Sequence, residues 1–227
     1  MAALPHSSAH ALGMHEVHIL PSRVTLSRIV AFLLQPMLRA VLRFTAPEDP
    51  WERIEGPVRL GLYGSGSRHD FAWYFEGPSS VTVNSVNEIQ DWLLGCSYKR
   101  DPDLFNEPDF WQHPRTFEEL RKGDCEDYAV WAWRKLVELG YDADLVTGHV
   151  LPITPAVSGH AWVVFRTDGI EYVLDPVVRT KARMVRPLAD VRNEYRPEFG
   201  VDRNKRRFAY GGFLLTLRER SNARRTA

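Results

Sequence analysis

The chain has few of the features that mark several common protein classes. Only two of its 227 residues are cysteines, and two thiols cannot form the disulfide framework of a small secreted protein. Basic and acidic residues each number 29, so no net positive field indicates a nucleic-acid partner. We interpret Cys96 and Cys125 as reduced thiols, which is typical of a cytoplasmic protein.

Long apolar runs are also missing. The most apolar stretch, "LSRIVAFLLQPMLRAVLRF" at 26–44, is interrupted by Arg28, Pro36 and Arg39, which makes it too short and too polar to span a bilayer. We predict an amphipathic helix that packs on the domain, and attachment to a membrane surface is the alternative. The first 23 residues lack a basic start and an uninterrupted apolar segment, so we expect no signal peptide.

The charges are unevenly distributed along the chain. Residues 101–127 hold nine acidic and three basic residues, and residues 179–207 hold ten basic and four acidic ones. This pattern is typical of two solvated faces of opposite sign, and a polarised surface that orients a charged partner is the alternative. Few aromatic residues accompany the arginines, so we predict no nucleic-acid binding. The glycine-rich loop "YGSGSRHD" lacks the Lys-Ser/Thr of a phosphate loop.

Helical signals dominate the middle of the chain. "VNEIQDWLLGC" has the spacing of a short helix, and Thr116 with Glu119 predicts a capping box for the next one, which Gly123 would end. Asp124 can then cap a longer helix that carries Asp127 in its first turn.

Strand signals follow. "ADLVTGHVL" alternates with a period of two, and "HAWVVFRT-DG-IEYVLD" has the Asp-Gly turn of a hairpin. A helical half followed by an antiparallel sheet predicts an α+β protein. We divide the chain into a helical extension (1–50), a linker with the glycine-rich loop (51–80), a main domain (81–215) and a basic tail (216–227). Within "RFAYGGFLLTLRE" we expect a final strand.

The hairpin turn predicts the register of its two strands. A two-residue turn pairs residues whose numbers sum to 337, so Val163 faces Leu174 and Arg166 meets Glu171. The same register makes His160 and Asp175 diagonal neighbours on one face, about 7–8 Å apart at their Cα atoms. Their side chains can then form a hydrogen bond.

Cys125 lies between carboxylates at the predicted start of the long helix. A helix N-terminus and a nearby imidazolium both lower the pKa of a thiol, so we expect a reactive thiolate. Asp175 would orient the imidazole of His160. Each residue alone is more often structural, but their order and geometry together favour a catalytic Cys-His-Asp site.

The blocks "GDCEDYA", "HAWVVF" and "YVLDP" resemble the transglutaminase-like superfamily of papain-like thiol enzymes, and the bacterial transglutaminase-like cysteine proteinases most. The similarity spans about residues 81–178. It implies a papain-like α+β core with the cysteine at a helix N-terminus packed on an antiparallel sheet. Carried over, Cys125 is the nucleophile, His160 the general base and acid, and Asp175 the orienting carboxylate. The resemblance also implies an oxyanion site made by the Cys125 N–H and one side chain from the set Asn87, Gln90 and Trp92.

Some relatives bind calcium through acids that flank the cysteine, and periplasmic relatives are exported. Asp124 and Glu126 match those acids in type, but capping explains them equally well. We therefore predict no metal and no cofactor. Because we expect no signal peptide, we also predict a cytoplasmic location.

The predicted function is a cysteine hydrolase that cleaves an amide bond, preferably a peptide bond, through an acyl-enzyme. Its partner would be a protein or peptide substrate. One alternative is an acyltransferase that uses the same three residues, and the other is an interaction module without activity. The sequence makes no prediction of the oligomeric state.

Overall fold

The structure is a computed structural model that describes residues 47–153 and 159–223. These residues all belong to one compact unit of the chain. The amphipathic helix predicted for the apolar stretch at 26–44 lies outside the described residues. The division of the chain at residues 50, 80 and 215 stays a prediction.

Seven helices are present in the described part of the chain. Their bounds are α1 (Val86–Leu94), α2 (Asp101–Leu104), α3 (Pro114–Leu120), α4 (Cys125–Glu138), α5 (Lys181–Met184), α6 (Leu188–Val191) and α7 (Gly211–Ala223). Short 3₁₀ turns cover Leu60–Leu62 and Trp73–Phe75.

Most strands belong to one seven-stranded sheet, in the order β1-β9-β8-β4-β5-β6-β7. Its strands are β1 (Arg53–Ile54), β4 (Asp142–Val150), β5 (His160–Thr167), β6 (Ile170–Leu174), β7 (Val185–Pro187), β8 (Tyr195–Val201) and β9 (Arg207–Tyr210). Neighbouring strands in this sheet are all antiparallel. A separate parallel bridge joins β2 (Ser97–Tyr98) to β3 (Lys122–Gly123). The predicted α+β class with an antiparallel sheet is confirmed.

The predicted hairpin has the predicted register. Val163 pairs with Leu174, Phe165 with Tyr172 and Arg166 with Glu171. Asp168 and Gly169, the two turn residues, both have positive φ, as a two-residue turn of the common hairpin type requires. The charge pair also forms, because Arg166 Nε donates to Glu171 Oε1 at 2.9 Å.

The helix starts agree with the sequence in two cases and differ in one. Ser85 caps α1 by accepting from the N–H of Glu88, and Asp124 is the N-cap of α4. The predicted capping box of Thr116 is wrong, because α3 begins at Pro114 and its N-cap is His113. Proline is pre-organised for the first helical position, and this preference outweighs the Thr-Glu pattern two residues later.

Both faces of the sheet are buried. Helix α4 packs on one face, where Trp131, Trp133 and Leu136 are fully buried together with Leu145 and Val163. The other face carries a second apolar cluster that includes Trp162, Val164 and Tyr195. A side chain on β5 therefore enters one of two separate cores according to its parity.

The two ends of the main unit differ from the sequence expectations. Residues 53–54, predicted to be linker, form the edge strand β1 on β9. The expected last strand covers only Arg207–Tyr210, and Gly211 begins helix α7. Gly212 requires a bare Cα, since a Cβ there would lie 2.0 Å from the Pro197 carbonyl oxygen. Among the described helices, none has the length and apolarity needed to cross a membrane.

Candidate active site

Cys125 occupies the first position of α4, directly after its N-cap. The thiol donates a hydrogen bond to Glu126 Oε2 at 3.1 Å. The backbone N–H of Ala161, which follows His160 in β5, faces the sulfur and favours thiolate. The nucleophile predicted from the sequence therefore lies between a helix start and the start of a central strand.

The electrostatics at the sulfur differ from the sequence expectation. Burial raises the pKa of Cys125 well above its usual range, and the charges of Glu126 and Asp124 raise it further. The predicted lowering of the thiol pKa is therefore wrong for this arrangement of charges. Burial, together with the carboxylates of the two residues that flank the cysteine, outweighs the partial positive charge of the helix N-terminus.

Asp127 fixes the first turn of α4 to the preceding loop. Its Oδ1 accepts from the Gln112 backbone N–H at 2.8 Å, and its Oδ2 accepts from the Gln112 side-chain amide and from the Asp124 N–H. Gly123 permits this close approach, because a Cβ there would lie 2.3 Å from Asp127 Oδ2. The predicted role of Asp127 in the first turn is confirmed.

Four other acids in this region lie close together, buried or half-buried, and two of them have an oxygen without a partner. Asp101, Asp109 and Glu126 each place a carboxylate oxygen within 4.8 Å of the others, and Asp124 groups with Asp101 in the same way. Asp101 Oδ1 and Asp124 Oδ1 are buried and have no hydrogen-bond partner. Burial and the neighbouring acids raise the pKa of Asp101 to about 6. The interpretation of this acidic run as a solvated face is wrong for these residues.

His160 and Asp175 are brought together as predicted. His160 Nε2 lies 3.0 Å from Asp175 Oδ2, and both side chains are about nine-tenths buried or more. The pKa of Asp175 is lowered, because hydrogen bonds from His160, Tyr195 and the Val177 N–H outweigh the effect of burial. An ionised Asp175 only accepts, so His160 Nε2 must be the donor and Nδ1 is left unprotonated in the neutral ring.

The topology of the sheet explains why these groups converge. Strands β5 and β6 are antiparallel, so the start of β5 lies beside the end of β6, where Asp175 follows Leu174. Strand β8 runs in the same direction as β5, because both are antiparallel to β4. Its first residue, Tyr195, therefore reaches the same end of the sheet.

Cys125 and His160 are neighbours through Ala161, but no hydrogen bond joins them among residues 47–153 and 159–223. His160 has the strand parity of Trp162, on the face opposite α4, and its ring centroid lies 5.9 Å from that of Trp162. At the first residue of a strand the ring sits at the sheet's end, beyond the paired segment with β6. Catalytic hydrogen bonds in free enzymes are often long and shorten when substrate binds.

The three residues considered as oxyanion donors are engaged elsewhere. Gln90 Nε2 donates to the Lys181 carbonyl at 2.8 Å, and Asn87 Oδ1 accepts from Lys181 Nζ. Trp92 stacks on Trp131 with ring centroids 3.9 Å apart. In the described part of the chain, none of the three forms a hydrogen bond with Cys125, and the side-chain donor stays a prediction.

Sequence reasoning missed two tyrosines at this site. Tyr195 donates to Asp175 Oδ2 at 2.9 Å, and it lies in an Arg-rich segment without clear periodicity. Tyr98 is half exposed and is held beside Gly123 by the β2–β3 bridge, and burial together with the groups at the start of α4 raises the pKa of its phenol. No local sequence signal announces either contact, since both depend on distant segments meeting.

Most of the basic side chains in segment 179–207 already have partners within the chain. Side-chain contacts to carboxylates or backbone carbonyls are made by Arg179, Lys181, Arg186, Arg192, Arg196, Arg203 and Arg206. Surface pairs of this kind contribute little stability individually. They do give these seven cationic side chains an acceptor within the chain.

Comparisons with known proteins agree with this site. Residues 79–191 match the family model of the bacterial transglutaminase-like cysteine proteinases. No curated protein matches the chain. Among solved structures, calcium-bound LapG of Legionella pneumophila is 19% identical, with a TM-score of 0.41, over 60% of this chain and 76% of that one. A second LapG structure is 16% identical, with the same TM-score, over 73% of this chain and 82% of that one.

The family model covers all three sequence blocks that carry the cysteine, histidine and aspartate. The structural matches are too distant to add to it, so the assignment depends on the sequence match together with the α+β core described above. Residues 79–191 of this chain form a transglutaminase-like cysteine peptidase domain of the bacterial transglutaminase-like cysteine proteinase family.

Proposed function

We propose that the protein cleaves a peptide bond through an acyl-enzyme on Cys125, with His160 as general base and acid and Asp175 as the orienting carboxylate. The observation that carries this proposal is the 3.0 Å bond between His160 Nε2 and Asp175 Oδ2 at the end of the sheet where Cys125 lies. Family membership supports a peptidase. The substrate is then a protein or a peptide.

The chemistry uses both nitrogens of the imidazole. Asp175 holds Nε2–H, which leaves Nδ1 free to take the thiol proton as the sulfur attacks the carbonyl carbon. The same Nδ1 then gives its proton to the leaving amine, and a thioester remains on Cys125. Water, deprotonated by His160, hydrolyses the thioester and regenerates the thiol.

Acyl transfer is the rival proposal, because an amine can replace water in the second step. The family match favours hydrolysis. The two reactions separate in one assay, in which a labelled primary amine is added to the protein together with a protein substrate. Hydrolysis leaves the label in solution, whereas transfer attaches it to the substrate.

The test of the proposed mechanism is to trap the acyl-enzyme. Full-length protein is mixed with candidate substrate proteins, quenched in acid and digested, and the mass of the Cys125 peptide is measured. A hydroxylamine-sensitive acyl adduct on Cys125 supports the proposal. A protein that cleaves substrates without any adduct on Cys125, or that carries the adduct on Cys96, contradicts it.

We also propose a calcium site at the buried acids beside the nucleophile. A related protein, LapG of Legionella pneumophila, is known in a calcium-bound form. The residues fit a hard cation: Asp101 and Asp124 each have a buried, unpartnered oxygen, and Asp109 and Glu126 add further carboxylate oxygens. Oxygen ligands of this type are those that Ca²⁺ prefers. Asp127 is excluded as a ligand, because both its oxygens already accept hydrogen bonds.

When bound, the ion would supply positive charge that offsets Asp124 and Glu126 next to the thiol. Asp109 also accepts from Ser65 Oγ and the Gly66 N–H at 2.9 and 2.8 Å, so it ties the glycine-rich loop to this site. Equilibrium dialysis with radioactive calcium tests the proposal on the full chain. Asp101→Asn should weaken binding at least tenfold, and Asp103→Asn, an exposed acid beside it, should not. Equal binding by both variants would contradict the site.

A further inference from the structure

The phenol of Tyr195 completes the environment of Asp175. Its hydroxyl donates to Asp175 Oδ2 at 2.9 Å, and this is the same oxygen that His160 Nε2 contacts at 3.0 Å. The Val177 N–H faces the other oxygen at 3.4 Å. Three donors from three separate segments therefore surround one carboxylate that is 5% exposed.

We propose that Tyr195 is a positioning residue of the active site, which holds Asp175 ionised and aimed at His160. This inference rests on the proposed function, because Tyr195 acts through Asp175 and touches no reacting atom. A hydrogen bond to a charged acceptor is stronger than one between neutral groups. The bond therefore selects one rotamer of Asp175 and favours its ionised form.

Tyr195 is itself held rigidly. Its side chain is 3% exposed, and its ring centroid lies 5.0 Å from that of Trp162, the neighbour of His160 on the same face. Because Tyr195 begins β8 while Asp175 follows β6, the hydroxyl spans the sheet end past β4 and β5. The contact thus joins the end of β6 to the start of β8 across β5, the strand that carries His160.

The polar groups around this contact come from three strands and from the residue before one of them. His160 lies on β5, Tyr195 on β8 and Arg186 on β7, and Glu194 precedes β8. Arg186 forms two bonds to the Glu194 carboxylate, at 2.9 and 2.7 Å. Arg186 also favours the ionised form of the phenol, whereas burial and the Asp175 charge raise the pKa of Tyr195. Tyr195 therefore stays a neutral donor at neutral pH.

The test is Tyr195→Phe in the full chain, with two spectroscopic readouts. We expect the pKa of the Asp175 carboxyl, followed by its ¹³C signal, to rise because one donor is lost. We expect the ¹⁵N shifts of the His160 ring to show that the Nε2–H tautomer is less dominant. We also expect kcat/KM to fall about tenfold with KM unchanged, since a weakened orienting group affects the transition state.

Tyr63→Phe is the matched control. Tyr63 is also buried, and its hydroxyl donates to the Gly200 carbonyl at 2.7 Å, outside the site. A merely structural role predicts that both variants lose stability and that neither shifts the Asp175 titration. Identical Asp175 titrations in Tyr195→Phe and Tyr63→Phe would overturn the proposal.

A second measurement keeps the proposal testable if Tyr195→Phe does not fold. Replacing Tyr195 by 3-fluorotyrosine changes its size little and makes the phenol a stronger donor, so the pKa of Asp175 should fall. An unchanged or raised Asp175 pKa would overturn the inference. These titrations need no activity, so their outcome is independent of whether Cys125 forms an acyl-enzyme.

Discussion

The two halves of the candidate site, the sheet side with Asp175 and the helix side with Asp101 and Asp124, differ in how their carboxylates are partnered. On the sheet side, the Asp175 carboxylate has donors on both oxygens and its pKa is lowered. On the helix side, Asp101 and Asp124 each bury an oxygen without a partner, and their pKa values are raised. The carboxylate on the sheet side has its partners within the chain, whereas on the helix side the proposed calcium ion would supply them.

The difference identifies what each half contributes. A buried carboxylate with full partners can hold a histidine in one tautomer without help. Burial of the cysteine raises the pKa of its thiol, and the neighbouring carboxylates of Glu126 and Asp124 raise it further. The proposed calcium ion would therefore act mainly on the nucleophile.

The comparison is broken most severely by removing the nucleophile. Cys125→Ala should abolish peptide cleavage and leave the fold intact, because no other thiol lies at a helix start beside β5. Cys96→Ala is the control, since Cys96 is buried and contacts the Trp92 carbonyl. Cleavage assays and thermal melts on both variants measure this. Full activity in Cys125→Ala would contradict the assigned nucleophile.

On the sheet side, Asp175→Asn should lower kcat by about 10²–10⁴-fold, by analogy with triad aspartates. An amide at this position can donate to His160 Nε2, which favours the wrong tautomer. Steady-state kinetics with a peptide substrate measure the loss. The rate measured with Cys125→Ala is the background of the assay, and it sets the largest loss that can be measured. A loss smaller than tenfold would contradict the proposed role of Asp175.

Glu118 and Lys135 form a buried pair of charges outside the candidate site, and Glu118, like Asp175, has hydrogen-bond donors for its carboxylate. Glu118 accepts from Ser79, Ser80 and Trp131, and its pKa is lowered because these hydrogen bonds outweigh burial. Lys135 Nζ lies 3.5 Å away and is almost fully buried. Glu118→Gln should cost about 3 kcal/mol in the free energy of unfolding, because it removes the buried carboxylate beside Lys135 and leaves only the partly exposed Glu138 to pair with this buried ammonium.

The pH dependence of that loss has a definite sign. A carboxyl whose pKa is lowered in the folded state stabilises it above the ordinary value of 4.5, and the effect disappears as the pH falls through the lower folded value. Urea denaturation at pH 7 and pH 3 should therefore show a smaller gap between wild type and Glu118→Gln at pH 3. Glu138→Gln, whose side chain is 38% exposed, should cost less than about 1 kcal/mol at either pH.

The smallest expected effect has the opposite sign and lies on the helix side. The pKa of Asp101 is raised from 3.8 to about 6, so its charge destabilises the folded state as the pH rises through that window. Asp101→Asn should stabilise the protein by about 1 kcal/mol at neutral pH in a calcium chelator. With calcium added, wild type should gain more stability than the variant. Destabilisation of the chelated variant would contradict the proposed unpartnered charge.

Local patterns predicted much of this molecule. The Asp-Gly turn fixed the pairing of β5 with β6, and with it the meeting of His160 and Asp175. Alternation and helical spacing placed β4, α1 and α4, and Asp124 with Asp127 marked the start of α4. These signals act over a few residues, where turn geometry and side-chain period leave few alternatives.

The remaining features depend on contacts between segments that are far apart in the chain. Tyr195 reaches Asp175 only because β8 is placed beside β4, and Asp101 meets Glu126 only because the loop after α2 folds onto the start of α4. The raised pKa of Cys125 follows from burial and from which carboxylates face the sulfur. The sequence by itself predicted the candidate nucleophile and its histidine and determined the strand register, since these depend on short-range geometry. Only the tertiary structure decided which acids are buried and which are partnered, because desolvation is a property of the packed chain.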